Sequence, residues 1–249
     1  MIQRLDWDST FFGYEVGKIN VEEDIDPVQF KKEAQNYQLV YIYSREHIIT
    51  LPEKTKHMVT HLEWEINLAQ NIQIWDYPAL LYEQENGEDG IFEINKSSLN
   101  PQNSPEFFPR LPEVVEELAV LSGEFSRFNL DTQFRNNEFN KLYVQWIRNA
   151  VWGEEIVLVY RLNFRIRGLI TLVSKAKKGR IGLIAVSEEY RGSGIGKQLL
   201  QAGINMSRQN GHEMLQIGTQ KINKPANALY QKMGFQLQGQ TEIYHWWKN

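Results

Sequence analysis

The 249-residue chain contains no cysteine. That absence excludes disulfides, thiolate nucleophiles and cysteine-ligated zinc together. Long apolar runs are missing too: no segment approaches the roughly 18 consecutive apolar residues that read as a membrane-crossing helix. The opening MIQRLDWDST lacks the apolar centre of a signal peptide. The expectation is a soluble, cytoplasmic protein with no membrane partner. Positive charge is not in excess, with 27 Lys+Arg against 31 Asp+Glu and a formal net charge of −4. No basic field invites nucleic acid, and the short cluster Lys175-Ala176-Lys177-Lys178 reads as a solvated turn. Repeats and low-complexity tracts are absent. What remains is a chain 42% hydrophobic and 12% aromatic, long enough for one large domain or two small ones.

The most informative stretch is IGLIAVSEEYRGSGIGKQLLQAGINMSRQNG, residues 181–211. Ile181 to Val186 reads as a buried strand, Arg191 to Gly196 as a glycine-rich turn, and the residues from Lys197 as a helix that Gly211 can end. A strand, a glycine turn and a helix N-terminus together make an anion site, because free N–H groups and the helix dipole point outward there. Two nucleotide-binding patterns fail by residue. A Walker A loop needs glycine where Arg191 stands and Ser or Thr where Gln198 stands, and a dinucleotide fingerprint needs its third glycine where Lys197 stands.

A second element follows. Met214 to Thr219 reads as a strand. The run Asn223-Lys224-Pro225-Ala226-Asn227-Ala228-Leu229-Tyr230-Gln231-Lys232-Met233-Gly234-Phe235 reads as a helix with proline in its first turn and glycine at its end. The pattern Arg191-x-x-Gly194-x-Gly196 and the Asn-x-x-Ala-x-x-Leu-Tyr-x-x-x-Gly-Phe spacing resemble two motifs of the GNAT N-acetyltransferase superfamily, in the right order. The resemblance implies an α/β (α+β) GNAT fold: a central mixed and partly splayed sheet flanked by helices, preceded by a smaller α/β unit. The division expected is residues 1–100 and 101–249, with the loop-like stretch from Lys96 to Pro105 as linker.

Strand-like runs before that linker are Gln38–Tyr43, Val59–Ile66 and Ile72–Leu81, with a polar helical segment at Pro27–Asn36. After it, Leu111–Ser122 and Asn137–Val151 have helical spacing. Ile156–Leu162 and Gly168–Val173, joined at Asn163-Phe164-Arg165, read as an antiparallel pair. The first strand of the GNAT core has no assigned place; the segment before the linker is its expected source.

The ends narrow the resemblance. Trp7-Asp8-Ser9-Thr10-Phe11-Phe12-Gly13, Ser126-Arg127-Phe128, and Leu142-Tyr143-x-x-Trp146-Ile147 are similar to TDP-fucosamine acetyltransferases. That family acetylates the amine of a nucleotide-linked deoxysugar. From the residues alone, Trp7, Phe11 and Phe12 read as packing of a small N-terminal core. The resemblance implies acetyl-coenzyme A as co-substrate and no metal. It places the cofactor on Ile184, Ala185 and Val186 of the strand, on the loop residues Arg191, Gly192, Ser193, Gly194, Ile195, Gly196 and Lys197, and on Asn223. It makes Tyr230 the general acid that protonates the leaving thiolate. Ser126 and Arg127 become contacts to the acceptor, and a homodimer is allowed for.

The base stays open. His57 and His61 sit four apart, but without the glutamate of a zinc-protease helix, and their β-branched neighbours suggest a strand. His212 falls at the wrong end of its strand, and His245 lies in a terminal aromatic strand where a structural role is expected. Glu154 and Glu155 precede a strand, where charges are usually solvated. A water chain serves equally well. Other acceptors (a polyamine, an antibiotic, an amino acid, a protein amine) and a non-catalytic acyl-coenzyme A sensor remain as alternatives.

Overall fold

The computed structural model describes residues 1–22, 24–45, 50–69, 89–94 and 111–248. The strand expected at 72–81 and the stretch 96–105 lie outside the described residues.

The chain runs β1 (Gln3–Arg4), α1 (Asp6–Phe12), β2 (Val16–Val21), α2 (Pro27–Ala34), β3 (Leu39–Ser44), β4 (Thr55–Asn67) and β5 (Gly90–Ile94). It continues α3 (Glu113–Ser122), α4 (Arg127–Leu130), α5 (Glu138–Trp152), β6 (Ile156–Leu162), β7 (Arg165–Lys175) and β8 (Lys178–Val186). It ends α6 (Ile195–Gln209), β9 (Met214–Gln220), α7 (Lys224–Lys232) and β10 (Gln236–Trp247). Local chemistry sets several of these bounds. Asp26 caps α2 by accepting the N–H of Val28 at 2.9 Å, with Pro27 in the first turn. Gly13 ends α1 at φ 76°. The β6–β7 hairpin turns on Asn163 and Phe164, both at positive φ, the geometry a two-residue hairpin loop requires. β7 is longer than the expected 168–173, since its hairpin partners carry the ladder out to Arg165 and Lys175. α6 starts at Ile195, two residues before the expected Lys197, because the Ile195 side chain is already buried in the core.

The described strands form one ten-stranded sheet in the order β1-β2-β3-β10-β4-β9-β8-β7-β6-β5. Pairs β2–β3 and β8–β9 are parallel and the rest antiparallel. The expected first strand of the GNAT core is β5, which pairs with β6 and does come from the segment before the linker. The boundary expected near residue 100 falls outside the described residues. The sheet itself runs through both parts: β10, from the C-terminal end, lies between β3 and β4, and β4 lies beside β9.

Each face of the sheet buries its own cluster. α3 and α5 cover one face with Leu118, Leu142 and Ile147 against Leu169 and Leu183. α6 and α7 cover the other with Leu199, Leu200 and Tyr230 against Ile181 and Ile217. Leu199 and Leu200 are fully buried, each contributing about 1.5–3 kcal/mol of transfer free energy. A third cluster, Phe30, Ala34, Val40 and Ile42 with Tyr244, ties α2 and β3 to β10.

Candidate active site

β8 and β9 pair from Lys178↔Met214 to Ile181↔Ile217 and then part. Beyond that point β8 keeps its ladder only with β7. The edge it turns toward β9 is left without a strand partner, and buried backbone donors in that position call for another partner. The parting follows a bulge. Ile170 pairs with Ile184, but Leu172 pairs with Ile181, so β8 carries an extra residue opposite Thr171. The Thr171 hydroxyl accepts the N–H of Leu183 at 3.0 Å. A Cβ at Gly182 would lie 2.7 Å from that hydroxyl oxygen, so glycine is needed here for close approach.

A cleft of about 1220 Å³ opens at the parting. The glycine loop forms part of its lining. Gly192 and Gly194 have φ 80° and 91°, and a Cβ on either would meet nothing within 4 Å. Backbone conformation, not crowding, demands glycine there. The first N–H bonded within α6 is that of Gln198, to the Gly194 carbonyl at 3.1 Å. The turn before it presents helix N–H groups without an intrahelical partner, as any helix start does.

Of the expected loop and strand residues, Ile184, Ala185, Val186, Arg191, Gly192, Gly194, Gly196, Lys197 and Asn223 line the cleft. Ser193 and Ile195 do not. The Ser193 hydroxyl turns back to donate to the Tyr190 carbonyl at 2.6 Å, and Ile195 is core. Arg191 is ion-paired with Glu124 at 2.9 Å, both half-exposed, so part of its charge is already answered within the protein. Asn223 caps α7, accepting the Ala226 N–H at 3.3 Å while donating to the Thr219 hydroxyl at 3.1 Å. Tyr230 lines the cleft from α7 although its residue is only 2% exposed. Burial pushes its phenol well above the ordinary value of 10, so the hydroxyl keeps its proton at neutral pH.

α1 and α4 also line the cleft, through Trp7 and Asp8 and through Arg127 and Phe128. Ser126 is buried and caps α4, accepting the Asn129 N–H at 3.4 Å. Arg127 lays its guanidinium over the rings of Tyr41 at 4.3 Å and Phe128 at 4.5 Å. Its Nε is buried without a hydrogen-bond partner among the described residues. Asp8 stands near it: burial raises the Asp8 carboxyl, and the attraction of Arg127 opposes that rise. Trp7 is 45% exposed and stacks on Phe11 at 5.0 Å and 8°. The packing read from the sequence holds for Phe11 and Phe12, which lie against the core, but not for Trp7, whose indole faces the cleft. In the same motif, Ser9 is structural: its hydroxyl accepts the N–H of Val16 at 2.9 Å and fastens α1 to β2.

A family model for the acetyltransferase (GNAT) family matches residues 117–235. An N-alpha-acetyltransferase of Saccharolobus solfataricus is 30% identical over 148 residues, 59% of this chain and 73% of that protein. The chain belongs to the GNAT acetyltransferase family. The spore coat polysaccharide biosynthesis protein SpsD of Bacillus subtilis is 29% identical over 151 residues, covering 58% of this chain. The chain spans about half of SpsD, 52% of its length. A GCN5-related N-acetyltransferase from Kribbella flavida shares the fold, with a TM-score of 0.54 at 8% identity over 93% of this chain and 80% of that one. The GNAT fold and the acyltransferase class are therefore established for this chain. Among the described residues no helix is long and apolar enough to cross a membrane, and no group of His, Asp and Glu is arranged to hold a metal.

The histidines divide sharply within this GNAT sheet. His57 and His61 are both on β4, as a strand reading expects. His57 is engaged by Glu242 at 2.7 Å. His212 is buried just before β9 and contacts the Ser207 hydroxyl at 2.8 Å. His245 is fully buried against Asp131 at 2.6 Å, a structural pair. His61 alone of these lines the cleft. Glu154 is exposed, whereas Glu155 is half-buried, lines the cleft and has its carboxyl raised by burial, so the solvated reading holds for the first only. His61 and Arg180 are cleft residues that the motifs did not supply. Their common signal is a polar side chain on a strand whose neighbours are buried in the core.

Proposed function

We propose that the protein transfers the acetyl group of acetyl-coenzyme A to the amine of a nucleotide-linked amino sugar. The observation that carries this reading is the cleft's lining. It joins a helix-start anion cradle and a parted strand edge to Arg127, whose Nε is buried without a hydrogen-bond partner among the described residues, and to the half-exposed Trp7.

Acetyl-coenzyme A supplies the activated thioester carbonyl. The N–H groups around Gly192, Gly194 and Gly196 suit its pyrophosphate, and Lys197 adds a positive charge at the cleft wall. The backbone of Ile184, Ala185 and Val186 on the open edge of β8 suits the amides of its pantetheine arm. Tyr230, held protonated, donates its proton to the departing sulfur. Also on the cleft lining, Arg127 suits a phosphate of the acceptor and Trp7 a base or sugar ring. A free small amine would use neither. The name of SpsD concerns a polysaccharide and agrees with a sugar acceptor, whereas that of the Saccharolobus relative concerns an α-amino group.

The test is acetyl-coenzyme A turnover against a panel of amines: nucleotide-linked 4-amino sugars, the free amino sugars, polyamines and peptides. Fastest turnover on a nucleotide-linked sugar is expected. A peptide or polyamine as the preferred acceptor would replace that part of the reading. Tight cofactor binding with no turnover on any amine would favour a sensor.

A further inference from the structure

The reaction needs a group to take the proton that the acceptor nitrogen sheds, and the cleft offers few. Glu124 is held by Arg191. Asp8 lines the cleft, where burial raises its carboxyl and the nearby Arg127 opposes that rise. Glu155 hydrogen-bonds Thr171, whose oxygen accepts the Leu183 N–H, so its carboxylate anchors the bulge in β8. His61 is different. No hydrogen bond to its ring is found among the described residues, and it lines the cleft. Its Cε1–Nε2 edge lies over Gly218, where a Cβ would come within 2.6 Å and 2.7 Å of those two atoms. Gly218 is the first residue of β9 after the last β8–β9 pair. The reactive edge of the imidazole therefore sits where the two strands part.

Resting on the acetyl-transfer reading above, we propose that His61 is the catalytic base of this protein. As the acceptor nitrogen bonds to the thioester carbon and the carbon–sulfur bond breaks, the imidazole takes one proton from that nitrogen. Tyr230 gives one to the sulfur. The products are the amide and the thiol, and solvent returns the phenol and imidazole to their starting states.

Geometry sets the place and the surroundings set the protonation state. Burial, and then Arg180 on β8, pushes the imidazole below its ordinary value of 6.5. Glu63 on the same strand acts the other way but is itself paired with Arg180 at 3.3 Å, and Arg127 on α4 adds to the lowering. From β10, Glu242 is committed to His57 and Thr60 rather than to His61. The ring is thus neutral at pH 7, the form a base requires.

The experiment uses the full chain, acetyl-coenzyme A and whichever amine the wild type acetylates best. His61→Gln should lower kcat by about 10²-fold or more while calorimetry shows unchanged acetyl-coenzyme A affinity, which also reports an intact fold. The wild-type kcat should fall as pH drops through the lowered pKa of His61, and that limb should vanish in His61→Gln. It should persist in Glu155→Gln, whatever that variant's rate. The acceptor's own ammonium adds a limb common to all three enzymes, so it cancels in the comparison. Added imidazole should restore part of the activity of His61→Ala. A wild-type rate and limb in His61→Gln, or loss of the limb in Glu155→Gln, overturns the assignment. Failure of the wild type to acetylate any amine would instead sink the acetyl-transfer reading.

Discussion

The imidazole of His61 occupies the space that any side chain at position 218 would need. A Cβ on Gly218 would stand 2.6 Å from Cε1 and 2.7 Å from Nε2. What it would meet is the far end of a side chain that can rotate, so Gly218→Ala should fold and displace the ring. The expected outcome is a kcat lowered toward that of His61→Gln. The double variant should be no slower than His61→Gln alone, because both changes remove the same function. Additive losses in kcat would show that Gly218 acts on something other than His61.

The glycine loop makes a prediction about affinity. At φ 91°, Gly194→Ala pays only the strain of a left-handed backbone, about 1–3 kcal/mol, since nothing crowds its Cβ. Gly194→Glu adds a negative charge in the open space in front of the helix start. Calorimetry should show coenzyme A affinity falling further for glutamate than for alanine, with both proteins folded. Equal affinities in the two variants would mean that no anion approaches the loop.

Tyr230→Phe removes one hydroxyl from a ring that packs against Trp64 and Phe235. Turnover should fall by about 10²-fold or more if that hydroxyl protonates the sulfur, with acetyl-coenzyme A affinity little changed. A rate near that of the wild type, measured with chemistry limiting, would leave Tyr230 a packing residue.

Much of this was legible in the chain because the motifs follow its order. The strand from Ile181 to Val186, the glycine turn and the helix bearing Tyr230 are contiguous, and each has its own punctuation in glycine or proline. The insertion of β10 between β3 and β4 was not legible, since pairing partners nearly two hundred residues apart leave no mark on local pattern. His61 was readable as a strand residue but not as a cleft residue. Its role depends on Gly218, more than 150 positions away, and on the register that brings them together. Trp7 illustrates a different limit: at helical spacing an aromatic looks the same whether its outer face meets a core or a cleft.

The buried pair His245–Asp131 makes stability depend on pH. Burial pushes the His245 imidazole down from 6.5 to about 4. The unfolded chain therefore binds a proton between those values that the folded chain does not. A depressed folded pKa contributes stability above the unfolded value and loses it as pH falls. The melting temperature should drop as pH is lowered from 6.5 toward 4. His245→Gln, which cannot titrate, should show a flatter profile across that window. Identical slopes would place the acid sensitivity elsewhere.

The most direct measurement of the whole account compares kcat/KM for a nucleotide-linked 4-amino sugar with that for the same free amino sugar, in the wild type and in Arg127→Ala. With Arg127 under the acceptor's phosphate, the wild type should prefer the nucleotide-linked form. Arg127→Ala should raise the KM for that acceptor, leave the KM for acetyl-coenzyme A nearly unchanged, and shrink the preference. Equal kcat/KM for the two acceptors in the wild type would contradict the nucleotide-linked acceptor and leave Arg127 and Trp7 without that function.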